Sequence, residues 1–406
     1  MPTQLNMVKK LDMPAGYKTA FVRKVFKALG NECLFVGGCV RDALRGVSSK
    51  DLDIATPLLP DVVIQKLKKA NIAVIPTGIE HGTVTAVNKK SDKEVIEITT
   101  LRKDVSTDGR RAVVAYTTCW KEDAERRDFT FNSLLMDLKG CVYDPIGLGL
   151  DDLKAGRIRF IGNAEDRVKE DYLRILRYFR FASRMNLPFD DDVLSVFKAL
   201  QSGLSQISIE RITDEVFKIL STSKPQRAIE VLRGYTEFSW MGSGYMRLDR
   251  LCALQEKLRC VNLIGRIFLI SSAVNLQETR YLNLPKKMQA DISQIIEILN
   301  DYPHKTIEYM LYYYDHECIK QAAIYMSALD KISDYSLRFI VSEMDDWSSA
   351  TFPLRGADLL AEGYEQGPLL GKALKEIELW WIDEKFKPKR DACMHEAIKW
   401  LEQSRA

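Results

Sequence analysis

The residues best suited to chemistry in this 406-residue chain sit in one run, Leu34 to Asp53. Two carboxylates, Asp51 and Asp53, are separated by one residue. Alternate residues of an extended strand share a face, so both can aim at one spot. Two hard oxygen donors on one face suit a Mg²⁺ ion that keeps waters and meets a substrate phosphate. Upstream, the apolar strand Leu34–Val36 runs into Gly37 and Gly38, then into a short helix carrying Arg41 and Asp42. Glycines let backbone N–H groups approach phosphate oxygens, and a helix start adds a positive dipole end. Phosphate grip beside paired metal ligands reads as nucleotidyl transfer. Either half alone is a common turn or a solvated strand face; the ordered combination over twenty residues carries the reading.

Three further runs can do chemistry. Glu97 lies in an alternating strand, on the face opposite Ile96 and Ile98. It is either an outward-facing strand glutamate or a third carboxylate, which would complete a two-metal site or take the proton of an attacking hydroxyl. In the acidic-basic run from Asp123, Arg126 and Arg127 offer forked donors for phosphate, and Asp128 can accept from a ribose hydroxyl. The plain alternative is a salt-bridged helix start. From Arg167 to Arg184 the pattern predicts one helix, on which Arg174, Arg177, Arg180 and Arg184 share a face. Asp171 and Arg174 are neighbours three residues apart, which by itself is an ion pair worth a few tenths of a kcal/mol.

The elements that must position these groups divide the chain. Strand signals dominate the first 145 residues: Leu34–Val36, Leu52–Ile54, Ile72–Ile75, Thr83–Asn88, Glu94–Thr99, Ala112–Tyr116, Leu134–Leu138 and Cys141–Tyr143. Helical patterns at Tyr17–Leu29 and Leu59–Ala70 lie among them. After Arg157–Ile161, read as a last short strand, the pattern is almost wholly helical. The length calls for two to four domains. A net charge of +3 announces no nucleic-acid partner globally, so any such site is a local basic patch. Eight scattered cysteines without a C-x-x-C pair read as reduced and mostly buried, which fits a cytoplasmic setting. No secretory signal is expected. The apolar stretch Val261–Val274 is interrupted by Arg266 and too short to span a bilayer, so no membrane is expected. The basic first thirty residues raise an organellar targeting peptide, but Tyr17–Leu29 reads instead as the helix opening the first domain.

The run from Gly37 to Asp53 resembles the nucleotidyltransferase head of the DNA polymerase β superfamily, and its G-G-x-V-R-D form resembles the branch holding tRNA CCA-adding enzymes and bacterial poly(A) polymerases. The resemblance implies an α+β fold: a polymerase-β-like head with a small mixed sheet (1–150), followed by an all-α neck (151–225), body (226–345) and tail (346–406). It implies that Asp51, Asp53 and Glu97 form the metal site, and that Gly37, Gly38, Arg41, Arg126, Arg127 and Asp128 hold the incoming nucleotide's triphosphate and sugar. Asn132 lies in the same R-R-D-F-T-x-N-S match.

Glu170-Asp171-x-x-Arg174 resembles the family motif that pairs with the incoming base. Cytosine and adenine both present an exocyclic amine beside a ring-nitrogen acceptor. One aspartate and one arginine can read that order and reject uracil and guanine, which present the reverse. A good bidentate pair discriminates by about 1–3 kcal/mol. Arg177 and Arg180 would then contact triphosphate or RNA backbone. His81-Gly82-Thr83 reads as structural support, and Arg102–Thr118, with a turn at Asp108-Gly109, as a hairpin or mobile loop that resembles the family's flexible loop. Ser208 is a helix N-cap candidate, with Arg211 a phosphate or tRNA contact. Pro353–Lys372 is helix-turn-helix packing or a tRNA-contacting tail, and no metal phosphohydrolase pattern is present. The expected activity is template-independent addition of CCA to tRNA from CTP and ATP with Mg²⁺. A poly(A) polymerase, a CC- or A-adding enzyme and a catalytically dead RNA-binding module stand as alternatives.

Overall fold

The computed structural model describes residues 5–30, 32–49, 51–89, 94–107, 112–235, 238, 241–271 and 282–404. They form two units, Met1–Thr222 with Arg227–Glu237, and Ser223–Gln226 with Phe238–Ala406.

The first unit holds ten strands among the described residues: β1 (Met7–Lys10), β2 (Leu34–Val36), β3 (Leu52–Thr56), β4 (Ala73–Gly78), β5 (Thr83–Val87), β6 (Val95–Thr100), β7 (Arg102–Thr107), β8 (Ala112–Tyr116), β9 (Leu135–Met136) and β10 (Cys141–Tyr143). Eight form one mixed sheet in the order β1-β10-β9-β2-β3-β6-β5-β4, and β7 and β8 make a separate hairpin. The turn expected at Asp108-Gly109 lies outside the described residues. Among the described strands only β3 and β6 pair in parallel. A parallel pair needs a crossover, supplied here by a helix and the β4–β5 hairpin. Leu52, Ile54, Ile96 and Ile98 are buried on one face of this pair and join the core.

Helices α1 (Ala20–Leu29), α2 (Gly38–Leu44) and α3 (Pro60–Lys69) accompany the sheet. In α1 the 3.6-residue rhythm buries Phe21, Val22, Val25, Phe26 and Leu29, and Thr19 caps the start through Val22 N. Helices α4 (Trp120–Glu125), α5 (Gly149–Ala155), α6 (Ala164–Glu170), α7 (Leu173–Met185), α8 (Asp191–Leu200) and α9 (Ile209–Leu220) follow, and α10 (Gln226–Tyr235) belongs to this unit from Arg227 onward.

Two sequence expectations need correction. Arg157–Ile161 is not a strand: it makes one isolated bridge, Phe160 to Phe129. Its alternation buries Ile158 and Phe160, and the Phe160 ring joins Phe129, Tyr178 and Phe197 in an aromatic cluster. Nor is Arg167–Arg184 one helix. It breaks between α6 and α7, where Asp171 adopts an extended backbone (φ −156°, ψ 105°). Asp171 Oδ1 accepts from Leu173 N, so a short polar side chain competes with the helix ladder.

The second unit is helical, running through α11 (Leu248–Lys257), α12 (Leu263–Ile270), α13 (Lys286–Asp301), α14 (Ile307–Tyr313), α15 (His316–Ala328), α16 (Asp334–Asp345), α17 (Gly356–Ala361), α18 (Pro368–Asp383) and α19 (Arg390–Gln403). Part of its core is a cluster around Trp381, Ile377, Leu359 and Ala397. All eight cysteines are free. Among the described residues no helix is long and apolar enough to cross a membrane.

Candidate active site

Asp53 and Glu97 are register partners on the parallel strands β3 and β6. Paired residues of a parallel ladder project to the same face, so the two carboxylates sit side by side, away from the isoleucines that fill the core. Asp51 precedes β3 by one residue and is exposed. The crowding of negative charge acts on Asp53. Burial and the charges of Glu97 and Asp51 push its carboxyl up to about 6, with only Arg127 pulling the other way. Excess negative charge on hard oxygen donors is the chemistry a divalent cation satisfies, so the residues fit such an ion in type and in face. Among the described residues no three carboxylate, imidazole or thiol side chains converge into a ready-made cage.

The glycine turn lies beside this face. Gly37 has φ +70°, a backbone that L side chains rarely adopt, and its N–H donates to Leu134 O. A Cβ there would stand 3.3 Å from Arg127 Nη1 and 3.6 Å from Asn132 O. The glycine thus lets the backbone pass close to the Arg127 guanidinium. α2 has only seven residues, so its dipole is a smaller contribution than the sequence suggested.

Arg126 and Arg127 are held in place by one buried carboxylate. Asp123 Oδ1 accepts from Arg126 Nε (2.9 Å) and Nη2 (2.7 Å), and Oδ2 accepts from Arg127 Nη2 (2.8 Å). Burial raises the Asp123 carboxyl, but the two arginines outweigh it and keep it below its ordinary value. The spacing from Asp123 to Arg126 and Arg127, three and four residues at the end of α4, is the signal that identifies this orienting group.

Arg41, expected to hold triphosphate, is engaged by side chains of the protein. It is 2% exposed. Its guanidinium bonds Asp42 Oδ1 and Asn132 Oδ1 and lies over the Phe181 ring at 4.9 Å. Asn132 is likewise buried and donates to Asp128 Oδ1 at 2.9 Å.

Asp128 is the hub of the joint between the sheet domain and α7. Its Oδ1 also accepts from Phe129 N, and its Oδ2 accepts from Arg177 Nε (2.8 Å) and Nη2 (2.5 Å). A carboxylate has about four lone-pair sites, and four donors fill them. Burial raises this carboxyl, but Arg177 and the hydrogen bonds win and lower it to about 2. Contact with a ribose hydroxyl would require one of these donors to move.

The arginines of α7 face different partners. Arg180 donates to Glu215 Oε1 on α9, Arg184 to Asp42 Oδ2, and both Arg177 and Arg180 flank the Phe181 ring. Burial and Arg177 bring the Arg180 guanidinium down to about 10. Asp42 and Glu215 are counterions that sequence reasoning missed, because their partners are 142 and 35 residues away.

The base-reading candidates sit together but do not pair with each other, contrary to the expected i,i+3 ion pair. At the helix break Arg174 N donates to the Asp171 carbonyl (3.0 Å), while the two side chains take other partners. Asp171 Oδ2 accepts from Arg211 Nη2 (2.7 Å), which gives Arg211 a partner inside the site. Arg174 Nη1 donates to Glu170 Oε2 (2.8 Å) and to the carbonyl of Arg167 (3.0 Å). Ser208 occupies the N-cap position of α9, yet its side chain makes no capping bond. In His81-Gly82-Thr83, Gly82 is left-handed at φ +79° and lies against the Tyr116 ring, while the His81 carbonyl accepts from Arg102.

Comparison with known proteins places this geometry. Residues 33–159 match the Poly A polymerase head domain, and 186–237 match a probable RNA and SrmB-binding site of polymerase A. The human mitochondrial CCA tRNA nucleotidyltransferase 1 is 31% identical over 96% of this chain and 93% of its own. The chain belongs to the CCA-adding tRNA nucleotidyltransferase family. Another relative, the CCA-adding enzyme of Oceanobacillus iheyensis, is 42% identical over half of each chain. Among solved structures, the Bacillus stearothermophilus CCA-adding enzyme in complex with CTP superposes with a TM-score of 0.79 at 26% identity, covering 97% of this chain and 98% of that one. Nucleotidyltransferases of this family generally use divalent metal ions.

Proposed function

We propose that this chain adds C, C and A in turn to the 3′ end of tRNA from CTP and ATP, without a nucleic-acid template, releasing pyrophosphate. The observation that carries the reading is the parallel pairing of Asp53 with Glu97 beside Gly37 and Arg127, on a chain that matches CCA-adding relatives along nearly its whole length.

Asp51 and Asp53 would hold Mg²⁺, with Glu97 beside them as further ligand or as acceptor of the hydroxyl proton. When bound, the ion would neutralise phosphate charge and favour the ionised 3′-hydroxyl. Gly37 and Gly38 let the backbone approach the triphosphate, and Arg126 and Arg127, aimed by Asp123, grip it. Arg177 and Arg180 supply positive charge from α7, with Asp128 orienting Arg177 beside the sugar and Asn132 steadying Asp128. Asp171 would accept from the base's exocyclic amine and Arg174 donate to its ring nitrogen. The 3′-hydroxyl oxygen then forms a bond to the α-phosphorus as the bond to pyrophosphate breaks. Residues 1–150 serve as head, 151–225 as neck, 226–345 as body and 346–406 as tRNA-contacting tail. Eight free cysteines support a reducing compartment such as the cytoplasm.

The test uses purified protein, Mg²⁺ and a tRNA transcript lacking its 3′ end, with CTP alone, ATP alone and both, read at single-nucleotide resolution. Two additions with CTP and a third only when ATP is also present establish the reading. A long tail with ATP alone makes the protein a poly(A) polymerase. Additions that stop at two with both nucleotides make it a CC-adder, and no extension makes it a binding module.

A further inference from the structure

We infer that Arg167, which belongs to neither the base-reading pair nor the triphosphate arginines, is a positioning residue that sets the spacing between them. The inference rests on the function proposed above and concerns how two parts of that site are kept in register.

One guanidinium spans both parts. Arg167 Nη2 donates to the main-chain carbonyls of Arg126 (2.7 Å) and Arg127 (2.8 Å). Arg167 Nη1 pairs with Glu170 Oε2 (2.6 Å), and that same oxygen accepts from Arg174 Nη1 (2.8 Å). Arg174 Nη1 closes the circuit on the carbonyl of Arg167 itself (3.0 Å). The path from the triphosphate arginines to the base-reading arginine therefore consists of one side chain and one carboxylate. The Arg167 and Arg174 side chains are only 11% and 12% exposed, so these bonds are shielded from competing water.

Both ends of the path are anchored. On one side, Asp123 fixes the arginine side chains and Ile161 N donates to the Asp128 carbonyl. On the other, Arg174 opens α7, just after the break at Asp171. That break leaves the end of α6 without a continuous helical ladder into α7, and Arg167 supplies a lateral connection at that point. A planar fork can serve two carbonyls and a carboxylate at once. An ammonium is a point charge and holds fewer of these partners in fixed directions. Recognition of a base by one aspartate and one arginine depends on aiming their atoms to within about half an ångström, so loosening this connection degrades discrimination as well as binding.

The experiment compares the full-length parent with Arg167→Gln, Arg167→Lys and Arg167→Ala in single-nucleotide addition to truncated tRNA. kcat and KM are measured for CTP and for UTP, with thermal melts of each variant and with Arg23→Gln, at an exposed position away from the site, as control. Arg167→Gln is expected to raise KM for CTP about 10-fold and to narrow the CTP-over-UTP ratio of kcat/KM about 10-fold, with kcat changed less than about 3-fold. Arg167→Lys is expected to keep the parent's melting temperature but not its ratio, and added guanidinium to restore the ratio in Arg167→Ala. A ratio within twofold of the parent in a folded Arg167→Lys overturns the inference, whatever happens to total activity. If the parent adds only A, the same ratio is read for ATP over GTP. A parent that adds nothing refutes the function and this inference with it, whereas an active parent with unaltered variants refutes the inference alone.

Discussion

Replacing Asp128 with asparagine tests the joint between the sheet domain and α7. The Asp128 carboxyl is held at about 2 against an ordinary 3.8, chiefly by Arg177 overcoming the cost of burial. At 1.36 kcal/mol per pH unit, that difference is about 2 kcal/mol of folding stability. The sign follows from the depression. The folded protein binds the proton less readily than the unfolded chain, so the contribution is complete above about pH 5 and is lost as pH falls from there through 2. Asparagine cannot carry the charge, and it leaves Arg177 facing a neutral amide. Breaking a buried pair on one side costs about 3–5 kcal/mol. Arg177 is 31% exposed, which puts the expected loss near the lower figure. Urea unfolding followed by circular dichroism from pH 7 to pH 2 measures both effects. Asp128→Asn should be about 3 kcal/mol less stable at pH 7, and the gap to the parent should shrink by about 2 kcal/mol between pH 5 and pH 2. A gap that stays constant across that window would falsify the assignment of Asp128 as the charged hub.

Asp51→Ala should lower nucleotide addition at least about 100-fold, the scale of a lost metal contribution of several kcal/mol, while filter binding shows tRNA affinity largely kept. Near-normal turnover would remove Asp51 from the site. Chelation with EDTA should abolish addition and excess Mg²⁺ restore it; activity surviving exhaustive chelation would refute the metal assignment. Gly37→Ala forces a side chain into φ +70° and against Arg127, which should cost about 1–3 kcal/mol in unfolding experiments and raise KM for both nucleotides. Parent-like stability and kinetics would show that the turn does not need glycine. Phe181→Leu removes the ring that three guanidiniums flank and should destabilise by about 2 kcal/mol; a change under about 0.5 kcal/mol would rule that ring out as their platform.

What could be read from the sequence was what depends on neighbours in the chain. The turn at Gly37 and the strand at Asp53 are each specified within a few residues, and the alternation around Glu97 put its side chain on the face opposite Ile96 and Ile98. The same alternation misled at Arg157–Ile161, because a strand and an extended segment packing two side chains into an aromatic cluster share a period. The break at Asp171 was hidden because apolar residues recur at helical spacing on both sides of it, from Val168 to Ile175 and Phe179. Which arginine faces which carboxylate was not legible, because Asp42 meets Arg184, and Glu215 meets Arg180, only after distant elements have packed.

The sheet order has a consequence for synthesis on the ribosome. β2 is fully buried, flanked by β3 on one side and β9 on the other. β9 follows β2 by about a hundred residues. At about 5–20 residues per second, the nascent chain would carry Leu34, Phe35 and Val36 with one open edge for about 5–20 seconds before their second partner emerges. An apolar edge exposed for that long invites pairing with other chains. β2 is only three residues long, which limits that risk. Lengthening it, or slowing translation before Leu135, should therefore cost soluble yield even where the finished fold is unchanged.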